Sequence, residues 1–183
     1  MADTANFGDL MDYNMTTATT NPNHWTGAKY DASRDVKEIA ADIRKDIKAA
    51  VKAEFLPKAK YSVRISRYSM GRSVSITVSE YDYPTFNAKR VAWDKLNLSH
   101  AVMPDDVLPW RSEHATTVEA ELTQMANAYN YDRSDPMTDC YNSGFHLDVD
   151  HKAPANEHAD LWAKLQEFPE WLKKLEEEAT TYR

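Results

Sequence analysis

The sequence predicts an α+β fold, with an N-terminal arm, a long helix packed on an antiparallel β-hairpin or small sheet, and C-terminal helices. Three observations predict it. An apolar stripe at helical spacing runs through residues 34–55, two period-two alternations follow at 61–66 and 73–79, and further helical patterns fill the second half. The resulting order, α-β-β-α-α-α, segregates strands from helices and so excludes a doubly wound sheet.

Residues 1–32 lack periodicity and are rich in Thr, Asn, Asp and Ala, which predicts a mobile arm, anchored by Trp25 and Tyr30. In the helix that follows, Val36, Ile39, Ala40, Ile43, Ile47, Ala50 and Val51 build one apolar face. Ser33 is placed to cap it, Asp35 and Glu38 suit the positive end of the helix dipole, and Pro57 is expected to end it. Tyr61, Val63 and Ile65, then Val74, Ile76 and Val78, alternate with polar residues around a turn containing Gly71, the pattern of a hairpin with one buried face. An isolated hairpin is marginal, so that face is expected to pack on the helix stripe. A short helix is predicted over 86–98, a longer one over 112–128 through Val118, Leu122 and Met125, and a helical stretch over 155–180 that Pro169 restarts or kinks. Residues 129–154 show no clean period. The expected organisation is an arm (1–32), an α+β domain (33–154) and a helical extension (155–183).

A chain of 183 residues suits one domain with appended arms. Cys140 is the single cysteine, so an intramolecular disulfide is excluded. The opening residues have neither a basic n-region nor an apolar h-region, and no apolar run reaches membrane-spanning length, so a cytoplasmic protein is expected. The net charge of −7 is uneven: residues 33–72 carry eleven Lys/Arg against five Asp/Glu, a basic module inside an acidic chain.

That module supplies the first candidate site. Arg44 and Lys48 on the helix, with Arg64, Arg67 and Arg72 on the hairpin among Ser62, Ser66, Ser73, Ser75 and Thr77, have the composition of a phosphate-backbone contact for DNA or RNA. A solvated sheet face gives the same alternation, and no aromatic platform for base stacking stands on it. The second is the acidic, aromatic segment holding Tyr131, Asp132, Asp135, Asp139 and Tyr141, residue types that anchor protein interfaces or present nucleic-acid-like charge. In His146-Leu147-Asp148-Val149-Asp150-His151, the alternate residues His146, Asp148 and Asp150 would share one side of an extended chain, as metal ligands can, but the pattern is unspecific. Cys140 with a nearby histidine permits nucleophilic chemistry without indicating it, and no phosphate-cradling or nucleophile-elbow motif occurs. No catalytic residue, metal or cofactor is therefore expected.

Two stretches, VKEIAADIRKDIKAAV…KAKYSVRISRYSMGRSVSITV (Val36 to Val78) and AYNYDRSDPMTDCYN (Ala128 to Asn142), resemble a large polyvalent protein-associated domain of phages and conjugative elements. Ile39, Ala40, Ile43, Arg44, Ile47 and Lys48 match the family's helix. Lys60, Tyr61, Ser62, Val63 and Arg64, then Ser75, Ile76 and Val78, match its strands. Asn130, Tyr131, Asp132, Ser134, Asp135, Met137, Thr138 and Asp139 match its late segment. The chain departs from the family at Tyr83-Pro84 and at Cys140. The resemblance implies a mobile-element accessory protein inside a bacterium, with no established catalytic residues. On that footing the expected activity is binding and masking a host factor, a defence nuclease of the CRISPR or restriction type, and the alternative is a nucleic-acid-binding module.

Overall fold

The structure, a computed structural model, describes residues 24–69, 71–98, 108–135, 137 and 141–180. It is an α+β protein whose elements follow the order β1 (Trp25–Thr26), α1 (Val36–Lys52), β2 (Lys60–Tyr68), β3 (Gly71–Ser79), α2 (Ala88–Lys95), α3 (Glu113–Asn127), β4 (Tyr131–Asp132), β5 (His146–His151), α4 (Glu157–Leu165) and α5 (Pro169–Thr180). None of the described helices is long and apolar enough to cross a membrane. The chain divides into two compact units, one drawn from described residues within Met1–Leu56, Tyr61–Thr77 and Glu121–Asp150, the other from Pro57–Lys60, Val78–Ala120 and His151–Arg183. The helical residues expected as a separate extension from 155 onward thus belong with 78–120.

The first unit is built around α1, whose Val36, Ile39, Ala40, Ile43, Ile47 and Ala50 are buried, while Val51 at the stripe's edge is only half-buried. Its cap is Asp35, not Ser33. The Asp35 carboxylate and the Glu38 side chain close a capping box, satisfying donors the first turn leaves without partners. Ser33 is occupied elsewhere, its N–H and hydroxyl both donating to Asp31 Oδ1 at 2.9 and 2.7 Å. The helix also stops before Pro57: Glu54 takes a left-handed φ of 60°, and Phe55 N–H returns to Ala50 O at 2.9 Å.

β2 and β3 form the expected hairpin, with Val63, Val74, Ile76 and Val78 buried. Two bonds tie β2 to α1: Arg44 Nη2 donates to Val63 O at 2.5 Å, and Arg67 Nη2 reaches both oxygens of Asp35 at 2.6 and 2.7 Å. The hairpin is extended to three strands in the order β2-β3-β5, so the aperiodic stretch 129–154 contains a strand that sequence periodicity did not predict. On β5, half-buried Leu147 and Val149 and buried His151 alternate with exposed His146, Asp148 and Asp150. Trp25, expected to anchor the arm, lies in β1, where Trp25–Thr26 pairs antiparallel with Tyr131–Asp132.

In the second unit, Ala92, Trp93, Leu108, Leu175 and Ala179 make a buried cluster, with Leu96, Leu98, Trp162, Leu165 and Leu172 packed around it. Asn87 caps α2 by accepting from Lys89 N–H at 2.9 Å. Pro169 is the first residue of α5, where its missing N–H costs nothing, so it restarts the helix.

Candidate partner-binding loop

Residues 129–135 and 141–145 are brought together over a base of buried and half-buried polar groups. Tyr129, 6% exposed, follows the end of α3 and donates its hydroxyl to Asp46 Oδ2 at 2.8 Å. Lys29 completes the group, bonding the same oxygen at 2.6 Å and lying 5.2 Å over the Tyr129 ring. Burial, then the neighbouring Asp46 carboxylate, pushes the Tyr129 phenol up to about 12.

Asn130 closes the loop. Its side chain is buried, and its amide does what a paired strand residue would do: Nδ2 donates to Phe145 O and Oδ1 accepts from Phe145 N–H, both at 3.0 Å. A β-carbon on Gly144 would stand 2.6 Å from Asn130 Oδ1, so the clamp requires glycine there. On the other side, Gly27 N–H bonds Asn130 O at 2.8 Å, and a β-carbon on Gly27 would lie 2.1 Å from the Asn127 carbonyl oxygen.

Above the clamp the chain is held by short polar side chains. Arg133 N–H bonds Asn142 O at 2.8 Å and Gly144 N–H bonds Tyr131 O at 3.0 Å. Ser134 N–H bonds Asp132 Oδ1 at 2.8 Å, Met137 N–H bonds Asp135 Oδ1 at 3.0 Å, and Asn142 N–H bonds Ser134 Oγ at 3.0 Å. These are side-chain mimics of backbone turns, which is why Asp, Asn and Ser crowd this stretch. Tyr131 packs edge-on against Tyr30 at 4.9 Å and donates to Asn142 Oδ1 at 3.1 Å. Met137 and Tyr141, by contrast, are 92% and 85% exposed.

Of the residues predicted for partner contact, Tyr131, Asp132 and Asp135 are half-buried and shape the loop, and Tyr141 is displayed. Asp139 and Cys140 lie outside the described residues. Sequence reasoning did not single out Met137 for contact, nor Asn130 as the clamp. The Asx-turn spacing of Asp132 with Ser134 and of Asp135 with Met137 was the signal that a shaped loop stood here.

The basic module is arranged differently from a nucleic-acid groove. Arg44 and Arg67 are used to join α1 to β2, and Arg72 Nε donates to Gly144 O at 2.6 Å, beside the clamp. Arg64 and Lys48 are exposed. By strand alternation, β5 sets His146, Asp148 and Asp150 on the same sheet face as Arg64 and the Ser/Thr row, so carboxylates interrupt the positive charge. Among the described residues no three His, Cys, Asp or Glu side chains gather as metal ligands, and His146, Asp148 and Asp150 do not converge.

Comparison with protein-family models, with curated proteins and with solved structures finds no match to this chain.

Proposed function

We propose that this chain is an accessory protein of a phage or mobile element that works by binding and masking a host protein, a defence nuclease, through the 131–144 loop. The observation that carries the reading is the display of Met137 and Tyr141 on a loop braced by Asn130. Exposed Tyr and Met are types enriched at interface cores. The resemblance of residues 36–78 and 128–142 supplies the mobile-element context and the cytoplasm of a bacterial host as the place of action. Nucleic-acid binding through the basic module is the weaker reading, because Arg44, Arg67 and Arg72 already have intramolecular partners.

The test is a cleavage assay with a panel of purified restriction and RNA-guided nucleases. Stoichiometric inhibition of one of them, lost on Met137→Asp/Tyr141→Asp and kept on Lys48→Ala/Arg64→Ala, supports the reading. Inhibition of none, or the opposite pattern of variants, overturns it.

A further inference from the structure

The second unit holds a chain of hydrogen bonds that the loop does not use. His151 is the last residue of β5, and its imidazole is 0% exposed. Nδ1 lies 2.7 Å from Glu119 Oε1 on α3, and Nε2 lies 2.8 Å from the Tyr83 hydroxyl. A carboxylate only accepts, so Nδ1 carries a proton toward Glu119; in the neutral imidazole Nε2 is then the acceptor for the phenol O–H. Arg111 Nε stands 3.4 Å from the same Glu119 oxygen, a second donor that fixes where the carboxylate sits.

Aromatic rings wall the group. Tyr81 stacks on one side of the Tyr83 system at 4.7 Å and meets His151 edge-on at 5.3 Å. His114, itself exposed, stacks on Tyr83 at 4.3 Å. Tyr81 provides the contrast: its hydroxyl pairs with Thr85, with Glu157 3.5 Å away, and no imidazole receives its proton.

A hydroxyl on an imidazole that a carboxylate orients is the arrangement that activates an oxygen nucleophile. We propose that Tyr83 is a reactive tyrosine, with His151 as its base and Glu119 as a positioning residue, and that it takes a phosphoryl electrophile. In that step Tyr83 Oη forms the new O–P bond, the bond from phosphorus to the leaving group breaks, and the phenol proton passes to His151 Nε2. With an ester substrate the same proton returns to the departing oxygen. No oxidant or metal enters the balance. His114, exposed and stacked on Tyr83, is the group placed to donate a ring N–H to the phosphoryl oxygens. This activity is independent of the loop and departs from the expectation that the chain carries no catalytic residue.

The test is labelling of the full chain with a fluorophosphonate probe, with peptide mass spectrometry to rate each tyrosine; fluoride is the leaving group. Tyr141, 85% exposed and with no histidine among the described residues bonded to its hydroxyl, is the internal reference. Tyr83 is expected to react at least about tenfold faster than Tyr141 at neutral pH. Its advantage over Tyr141 is expected to shrink as pH is raised, because unassisted phenolate attack then comes to compete with base-assisted attack. Tyr83→Phe removes the fast adduct, and Glu119→Gln displaces the pH profile along the pH axis as well as lowering the rate. Because the wild-type profile alone decides the matter, a variant that fails to fold does not obscure it. Labelling of Tyr83 no faster than Tyr141, or a Tyr83 rate that climbs with pH as Tyr141 does, overturns the proposal.

Discussion

Replacing Asn130 by alanine removes both hydrogen bonds that hold Phe145 and leaves two buried backbone groups, the Phe145 N–H and C=O, without their partners. An unsatisfied buried group costs about 1–3 kcal/mol, so the pair should cost about 2–6 kcal/mol, the lower end applying if water enters the space left by the amide. Asn130→Asp is the informative companion. It keeps the acceptor for Phe145 N–H, loses the donor, and brings a carboxylate against the Phe145 carbonyl, so it should rescue little. Urea unfolding with the m-value held in view reads the energy, and hydrogen exchange at Phe145 N–H reads the place. A cost under about 0.5 kcal/mol, with that amide still protected, would show that the loop is closed by something else and would refute the clamp.

Gly27→Ala should be destabilising because its new methyl would meet a backbone carbonyl, not a side chain that can swing aside; thermal unfolding should show a lower midpoint, and an unchanged one would contradict the packing at Asn127. Burial holds the Tyr61 and Tyr129 phenols up to about 12, so both should ionise after the exposed tyrosines in an absorbance titration at alkaline pH. Their neutral forms are favoured by the fold, so that stability is complete below about pH 10 and is lost as pH rises toward 12. Asp42 is held below the ordinary carboxylate range by bonds from Arg34 and Lys45. For Asp35, burial acts upward but is outweighed by Arg67 and the Val36 N–H. These depressed groups contribute stability above about pH 4 and lose it as pH falls, so the urea midpoint should drop below that pH and less steeply in Arg34→Gln.

What could be read from the sequence was what local periodicity encodes. The stripe from Val36 to Ala50 and the alternations through Val63 and Val74–Val78 place their own residues, and each was buried as its period required. Helix ends were less legible, since several polar residues compete for one cap: Ser33 was drawn into a turn with Asp31, leaving Asp35 to cap. Likewise Glu54 turned the chain before Pro57 could. β5 was hidden because only Leu147 and Val149 mark its inner face, and a strand so short is defined by the neighbour it joins. The loop was hidden for the same reason. Tyr141 was identifiable by type, but the bond from Asn130 to Phe145 joins residues that only the fold brings together. Asp132 and Asp135, expected to face a partner, each supply a turn acceptor. Charge reversal there would test the loop's construction more than its contacts.

The most direct measurement is therefore the affinity of the inhibited nuclease for wild-type protein and for Met137→Asp/Tyr141→Asp, with Lys48→Ala/Arg64→Ala alongside, by calorimetry. At positions this exposed the aspartates should leave stability within about 0.5 kcal/mol of wild type. The expected loss of binding is at least about 2 kcal/mol, roughly thirtyfold in Kd, for the loop pair and none for the basic pair. Unchanged affinity in the loop variant, or loss confined to the basic variant, would contradict the loop as the binding surface.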